Sequence, residues 1–143
     1  MVNAATKAPL ITGRCLCSVL TYEYAGELGP ASYCHCVDCR RVTGSAFNVS
    51  VRLVAARFRI ASGETASFTK AADSGAPVTR HFCPCCGSPL FTTHPSRPEF
   101  LWIKAGSLDE PTVVVPAHQS WTRSRVEWSC IADGLPAFPE GRV

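Results

Sequence analysis

The sequence has little of what would place it in several large functional classes. No apolar stretch approaches the roughly 20 residues of a membrane-spanning helix, so no membrane partner is expected. Met1 to Leu10 carry one lysine and no long apolar run, so no secretory leader is expected and a cytoplasmic location is. An excess of one charge is also missing: 14 basic against 11 acidic residues leave +3, too mild to call for nucleic acid. The nearest basic groupings are Arg52, Arg57 and Arg59, and the pair Arg40-Arg41. They read as charges on a solvated strand edge, with an anion-binding face as the alternative. There is no internal repeat, heptad pattern or low-complexity segment, and only Val37 to Val42 suggests a turn of helix.

What is present fits one compact domain spanning residues 1–143, of which 46% are hydrophobic and 17% charged. Ten glycines and eleven prolines punctuate the chain. Between them lie short runs rich in β-branched and aromatic residues: Val19 to Tyr24, Ala46 to Leu53, Phe58 to Ala61, Val78 to Phe82, Phe100 to Ala105 and Thr112 to Val115. Alternation such as Leu20-Thr21-Tyr22-Glu23-Tyr24 predicts half-buried strands. The expected fold class is mostly β, with antiparallel sheets and few short helical turns.

Cysteine is the residue in excess. There are nine, an odd number that cannot pair completely within the chain, and a reducing compartment disfavours disulfides in any case. Metal ligation is the better use of them. Cys83-Pro84-Cys85-Cys86-Gly87 has knuckle spacing: Cys83 and Cys86 can share one side of a tight turn, with Cys85 as a rival to either. Cys15 and Cys17 would face opposite sides of an ideal strand, so sharing an ion requires a bend, which Gly13 is placed to allow. A closed tetrahedral site needs four ligands, and Cys15, Cys17, Cys83 and Cys86 supply them for a structural zinc. The alternative is a set of buried, reduced core cysteines.

The middle group, Cys34-His35-Cys36-Val37-Asp38-Cys39, offers three thiolates within six residues and no obvious fourth ligand. His35 and Asp38 are expected to point outward from the turn. Three protein ligands plus a free position is the pattern of a catalytic zinc. The alternative is a second closed site completed by Cys85, Cys130 or a histidine. Zinc with three thiolates carries a formal −1, which makes it a weak activator of water but a good host for a fourth sulfur. A thiol captured as thiolate can attack a carbonyl carbon, so the expected chemistry is carbon–sulfur bond formation or cleavage on a small thiol adduct.

Further motifs continue the pattern: Cys39-Arg40-x-x-Thr43-Gly44-Ser45-x-Phe47, Arg80-x-Phe82-Cys83-x-x-Cys86-Gly87-Ser88-x-Leu90, Gly106-Ser107-Leu108-Asp109, and a tail from His118 through Trp128 to Asp133-Gly134-Leu135-Pro136-x-Phe138. With Gly13-x-Cys15-x-Cys17 and the Cys34 group, they resemble the glutathione-dependent formaldehyde-activating family, which includes the centromere protein V domain. The likeness spans about residues 10–138. It implies a β-tent of antiparallel sheets and two zinc ions. One ion is structural, on Cys15, Cys17, Cys83 and Cys86; the other is catalytic, on Cys34, Cys36 and Cys39. It also implies a glutathione-like thiol partner and an activity that joins glutathione to formaldehyde as S-hydroxymethylglutathione.

Around the catalytic group, Arg40 and Arg41 are candidates to offset its negative charge or hold a substrate carboxylate, against a reading as exposed turn residues. His35 is the first candidate for general acid or base among His35, His81, His94 and His118. Phe47, Phe82, Phe91, Trp102 and Trp128 read as core or pocket wall, and Cys130 as a buried small side chain. Two other functions stay open: a non-catalytic zinc module that binds protein or nucleic acid, and a thiol reductase using Cys85 or Cys130.

Overall fold

A computed structural model describes residues 7–131 and 133–142; the first six residues, on which part of the leader expectation rests, lie outside it. Strands β1 (Leu10–Arg14), β2 (Thr21–Ala25) and β5 (Phe58–Ser62) form a three-stranded antiparallel sheet in the order β1-β2-β5. The second sheet has seven strands in the order β10-β3-β4-β9-β8-β7-β6. They are β3 (Ala31–Cys34), β4 (Asn48–Val54), β6 (Ala66–Ala71), β7 (Pro77–Phe82), β8 (Pro89–Thr93), β9 (Phe100–Lys104) and β10 (Pro116–Ser120). One helix, α1 (Val37–Thr43), follows β3. The mostly β class stands. One pair departs from the antiparallel expectation: β10 runs parallel to β3, which it reaches after a crossover of some eighty residues.

Alternation along the central strands decides which face does what. On β4, Val51 and Leu53 point to the core, opposite Ile103 and Leu101 of β9. Phe91 of β8 continues the row against Ile103. The three-stranded sheet closes over this face with Tyr22, Tyr24 and Phe58; the Phe58 ring lies 5.4 Å from Tyr22 and 5.0 Å from Phe91. Full burial of each such aliphatic contributes about 1.5–3 kcal/mol. The buried tyrosines keep their hydroxyls satisfied, Tyr22 with Ser107 Oγ at 2.8 Å and Tyr24 donating to the Glu27 carbonyl at 2.9 Å. Residues one step out of phase, including Ser50, Trp102, Lys104, Thr92 and Arg80, lie on the opposite face.

Three expectations are corrected here. Thr112 to Val115 is no strand: Pro111–Val113 is a single 3₁₀ turn, with Thr112 N–H bonded to the Glu110 carboxylate, and β10 begins only at Pro116. Gly13 makes no bend; it sits inside β1, where a Cβ would fall 2.0 Å from Tyr22 Oη and 2.6 Å from the Ser107 carbonyl. Its place there is set by close approach. Trp128, expected as core or pocket wall, is 77% exposed. Of the three arginines, Arg59 on β5 pairs with Glu23 at 2.6 Å and Arg52 on β4 lies 4.5 Å over the Phe100 ring. Among the described residues, no helix is long and apolar enough to cross a membrane.

Candidate functional site

The turn after β1 brings the first pair of cysteines together. Ser18 takes φ 64°, its N–H bonds to the Cys15 carbonyl at 3.1 Å, and Cys15 N–H bonds to Leu20 O at 3.0 Å. That reversal sets Cys15 Sγ and Cys17 Sγ 3.5 Å apart. The second pair comes from the turn between β7 and β8, where Gly87 at φ 77° donates to the Cys83 carbonyl. Cys17 Sγ and Cys83 Sγ are 3.9 Å apart, and all four sulfurs of Cys15, Cys17, Cys83 and Cys86 lie within 4.8 Å of one another. Four thiolates around one zinc, with bonds near 2.3 Å, are separated by about 3.8 Å, so the donor set fits. Ser88 ties the turns together: it accepts from Leu16 N–H at 3.1 Å and lies 3.1 Å from Cys86 Sγ, holding that thiol down to about 5.

The other cluster is built by the junction of β3 and α1. Cys34 ends the strand. Cys36 caps the helix, its sulfur accepting from Cys39 N–H at 3.2 Å, which places the Cys39 side chain beside it. Asp38 in the first turn and Arg40 and Arg41 in the last complement the helix dipole. Gly44 at φ 63° ends the helix, donating to the Arg40 carbonyl at 3.0 Å. The three sulfurs lie within 4.8 Å of one another. Among the described residues, no fourth cysteine, histidine or carboxylate joins them. Hydrogen bonds from the Cys34 and Cys39 thiols push Cys36 down to about 2 and raise those two partners, so negative charge concentrates on Cys36.

All three sulfurs line a cavity of about 320 Å³ on the face of the seven-stranded sheet turned away from the core. That volume lies within the range of small-ligand sites. The tip of the β6–β7 hairpin, Ala72 to Ser74, forms one wall. Helix α1 is pinned to that hairpin by Asp38, which takes a hydrogen bond from Lys70 Nζ at 2.6 Å and lies 3.8 Å from the Arg80 guanidinium. Across the cavity, Lys104 Nζ donates to Asn48 Oδ1 at 2.7 Å. His94 also lines the cavity, its ring 4.6 Å from that of Trp102 in an edge-on contact. Burial, then the charges of Arg80 and Arg97, lowers its pKa below 6.5.

The structure redistributes the supporting roles. His35 does not point outward: it is fully buried, its Nε2–H donates to Gln119 Oε1 at 2.9 Å, and it is not among the cavity-lining residues. Arg40 and Arg41 do not line the cavity either; its positive charges are Arg80 and Lys104. Asp38, also expected outward, faces the cavity. His81 stacks on Phe91 at 4.3 Å, and His118 packs against Phe138, both away from the cavity. Cys85 and Cys130 are exposed and join neither cluster, which removes both as missing ligands and corrects the buried reading of Cys130. Lys104 and Asn48 are the residues that sequence reasoning missed. Their only signal is phase: both fall out of step with the core-facing aliphatics of β4 and β9.

Residues 10–124 match the profile of the family described as glutathione-dependent formaldehyde-activating enzyme. No curated protein matches the chain. Among solved structures, the crystal structure of a Rhodobacter sphaeroides protein is similar over 89% of this chain and 98% of its own, with a TM-score of 0.54 and 18% identity. That likeness shows a shared fold.

Proposed function

The chain belongs to the glutathione-dependent formaldehyde-activating family, and from that membership we propose that it makes or breaks a carbon–sulfur bond in a small thiol adduct, S-hydroxymethylglutathione or a related compound. One observation carries the reading: three clustered sulfurs with no fourth protein ligand among the described residues, opening on a cavity. We assign zinc to both clusters, held by Cys15, Cys17, Cys83 and Cys86 for the fold and by Cys34, Cys36 and Cys39 for the reaction. Bound at the second cluster, zinc would supply a site where a thiol is held as thiolate.

The protein's own groups supply the rest. In the synthetic direction the thiolate lone pair forms the C–S bond at the carbonyl carbon. The C=O π pair moves to oxygen, which takes a proton; cleavage is the reverse. In this reading His94, kept neutral near pH 7 by its lowered pKa and lining the same cavity as the sulfurs, takes the proton that the thiol loses and returns it to that oxygen. The indole of Trp102 fixes its ring. Hairpin residues 72–74 and helix α1 wall the cavity and limit its water. The non-catalytic alternative for nucleic acid draws little on the arginines, since Arg59 is engaged by Glu23 and Arg52 by the Phe100 ring.

The test is zinc-edge absorption of the zinc-loaded protein titrated with glutathione, paired with exchange NMR of formaldehyde and glutathione. A sulfur added at one of two zincs, with exchange faster than the uncatalysed rate, is the expected result. Unchanged coordination at both zincs would sink the proposal.

A further inference from the structure

Lys104 has no part in the reaction as written, and its position is costly without a partner. It is only 8% exposed, at the end of β9, and the one hydrogen bond of its ammonium goes to the neutral amide oxygen of Asn48. Among the described residues no carboxylate forms an ion pair with it. Of the carboxylates lining the same cavity, Asp38 is already engaged by Lys70 and Arg80, and Asp73 is exposed. Removing an ammonium from water with no compensating anion costs several kcal/mol. Some other negative group must offset it.

The sulfurs of Cys34, Cys36 and Cys39 are the candidates for that group, since they share its cavity. Cys34 is the cross-strand partner of Asn48, and Asn48 holds Lys104, so the connection runs across three adjacent strands, β3, β4 and β9. Lys104 and the three cysteines line one cavity. Burial lowers the lysine's pKa and Arg80 adds to that effect, while the charges of Cys39, Cys34 and Cys36 oppose it. Three thiolates around a divalent ion retain a formal −1, and one ammonium brings the assembly to neutrality.

We propose that Lys104 is the counter-charge of the three-cysteine cluster, held in place by Asn48, and that it sets how tightly that cluster retains its metal ion. It is a positioning residue that acts on the cluster through space. The inference rests on the metal reading of that cluster. It has a chemical consequence: with Lys104 in place, an incoming thiolate takes the assembly from neutral to −1 rather than from −1 to −2.

The experiment is a cobalt(II) titration of the full chain, following the thiolate charge-transfer bands, for wild type, Lys104→Met, Lys104→Gln and Lys104→Arg. Methionine removes both the charge and its desolvation cost, so that variant is expected to fold; glutamine keeps a polar group toward Asn48, and either neutral variant suffices. The first cobalt equivalent, taken by the four-cysteine cluster, serves as an internal control. In the neutral variants the second equivalent is expected to bind about 10–100-fold more weakly, the range usual for supporting partners of metal ligands. The first should be unchanged, and arginine should restore the second. A second equivalent unaffected by neutralisation, or equally weakened by arginine, overturns the inference and leaves the proposed function standing. A wild type that takes up only one cobalt overturns both.

Discussion

Asp38 lies between two cysteines of the cavity cluster, and its carboxylate receives a 2.6 Å hydrogen bond from Lys70 of the β6–β7 hairpin. Through this pair the loop carrying the cluster is fastened to the wall that faces it. Both side chains are partly exposed, so the pair adds little to global stability, about 0–1 kcal/mol. Its effect is local. Asp38→Asn is expected to leave the thermal midpoint almost unchanged while speeding hydrogen exchange of the amides at 72–76. Unaltered exchange there would show that the hairpin stays in place by its backbone pairing alone.

The two clusters should respond differently to loss of their cysteines. Cys83→Ser removes one of the four sulfurs that meet between the first turn and the β7–β8 turn, where the proposed structural zinc would contribute on the order of 10 kcal/mol to folding. Loss of the cooperative unfolding transition by circular dichroism is expected. Replacing Cys34, Cys36 and Cys39 together by serine should leave a folded protein with one metal ion fewer by elemental analysis. If the triple variant unfolds and Cys83→Ser does not, the structural and catalytic assignments are reversed.

Gly13→Ala introduces a methyl group where Tyr22 Oη lies at 2.0 Å and the Ser107 carbonyl at 2.6 Å. The tyrosine is buried and hydrogen-bonded to Ser107, so neither group can yield freely. Overpacking of this kind costs about 1–3 kcal/mol. A lower urea midpoint with an unchanged slope is the expected result, and a midpoint within error of wild type would mean that β1 shifts without penalty.

His94→Gln should lower the rate of adduct exchange by about 10²–10⁴-fold if His94 carries the proton. The pH profile gives an independent check. Burial depresses its pKa from 6.5, so the neutral, proton-accepting form persists below that value. The acid limb of the wild-type rate should therefore fall below pH 6.5, and in His94→Gln that limb should disappear. A profile that breaks above 6.5 assigns the proton to another group.

Three partly buried histidines also set an acid limit on stability. His81, His94 and His118 all have pKa values lowered first by burial, so the unfolded chain binds more protons than the folded one as pH drops through 6.5. Their contribution is full above the unfolded value and is lost progressively as pH falls toward the depressed folded values. His81→Phe, which keeps a ring against Phe91, should flatten the stability slope below pH 6.5. An identical slope would place the acid lability elsewhere.

The sequence by itself determined the two thiol clusters. Seven of the nine cysteines, at spacings of two and three, nominated both clusters, because thiols within a few residues of one another are brought together by a single turn. Runs of β-branched and aromatic residues likewise identified half of the ten strands, β2, β4, β5, β7 and β9, and misled at Thr112 to Val115, where Pro111 and the Glu110 side chain favour a 3₁₀ turn. Tertiary structure alone decided which charged groups face the sulfurs. Arg40 and Arg41 adjoin Cys39 in the chain and stay off the cavity, while Lys104, 65 residues beyond Cys39, lines it. Such a group arrives through pairing of β9 with β4 and of β4 with β3, and register between strands distant in sequence is fixed by core packing that no local pattern records.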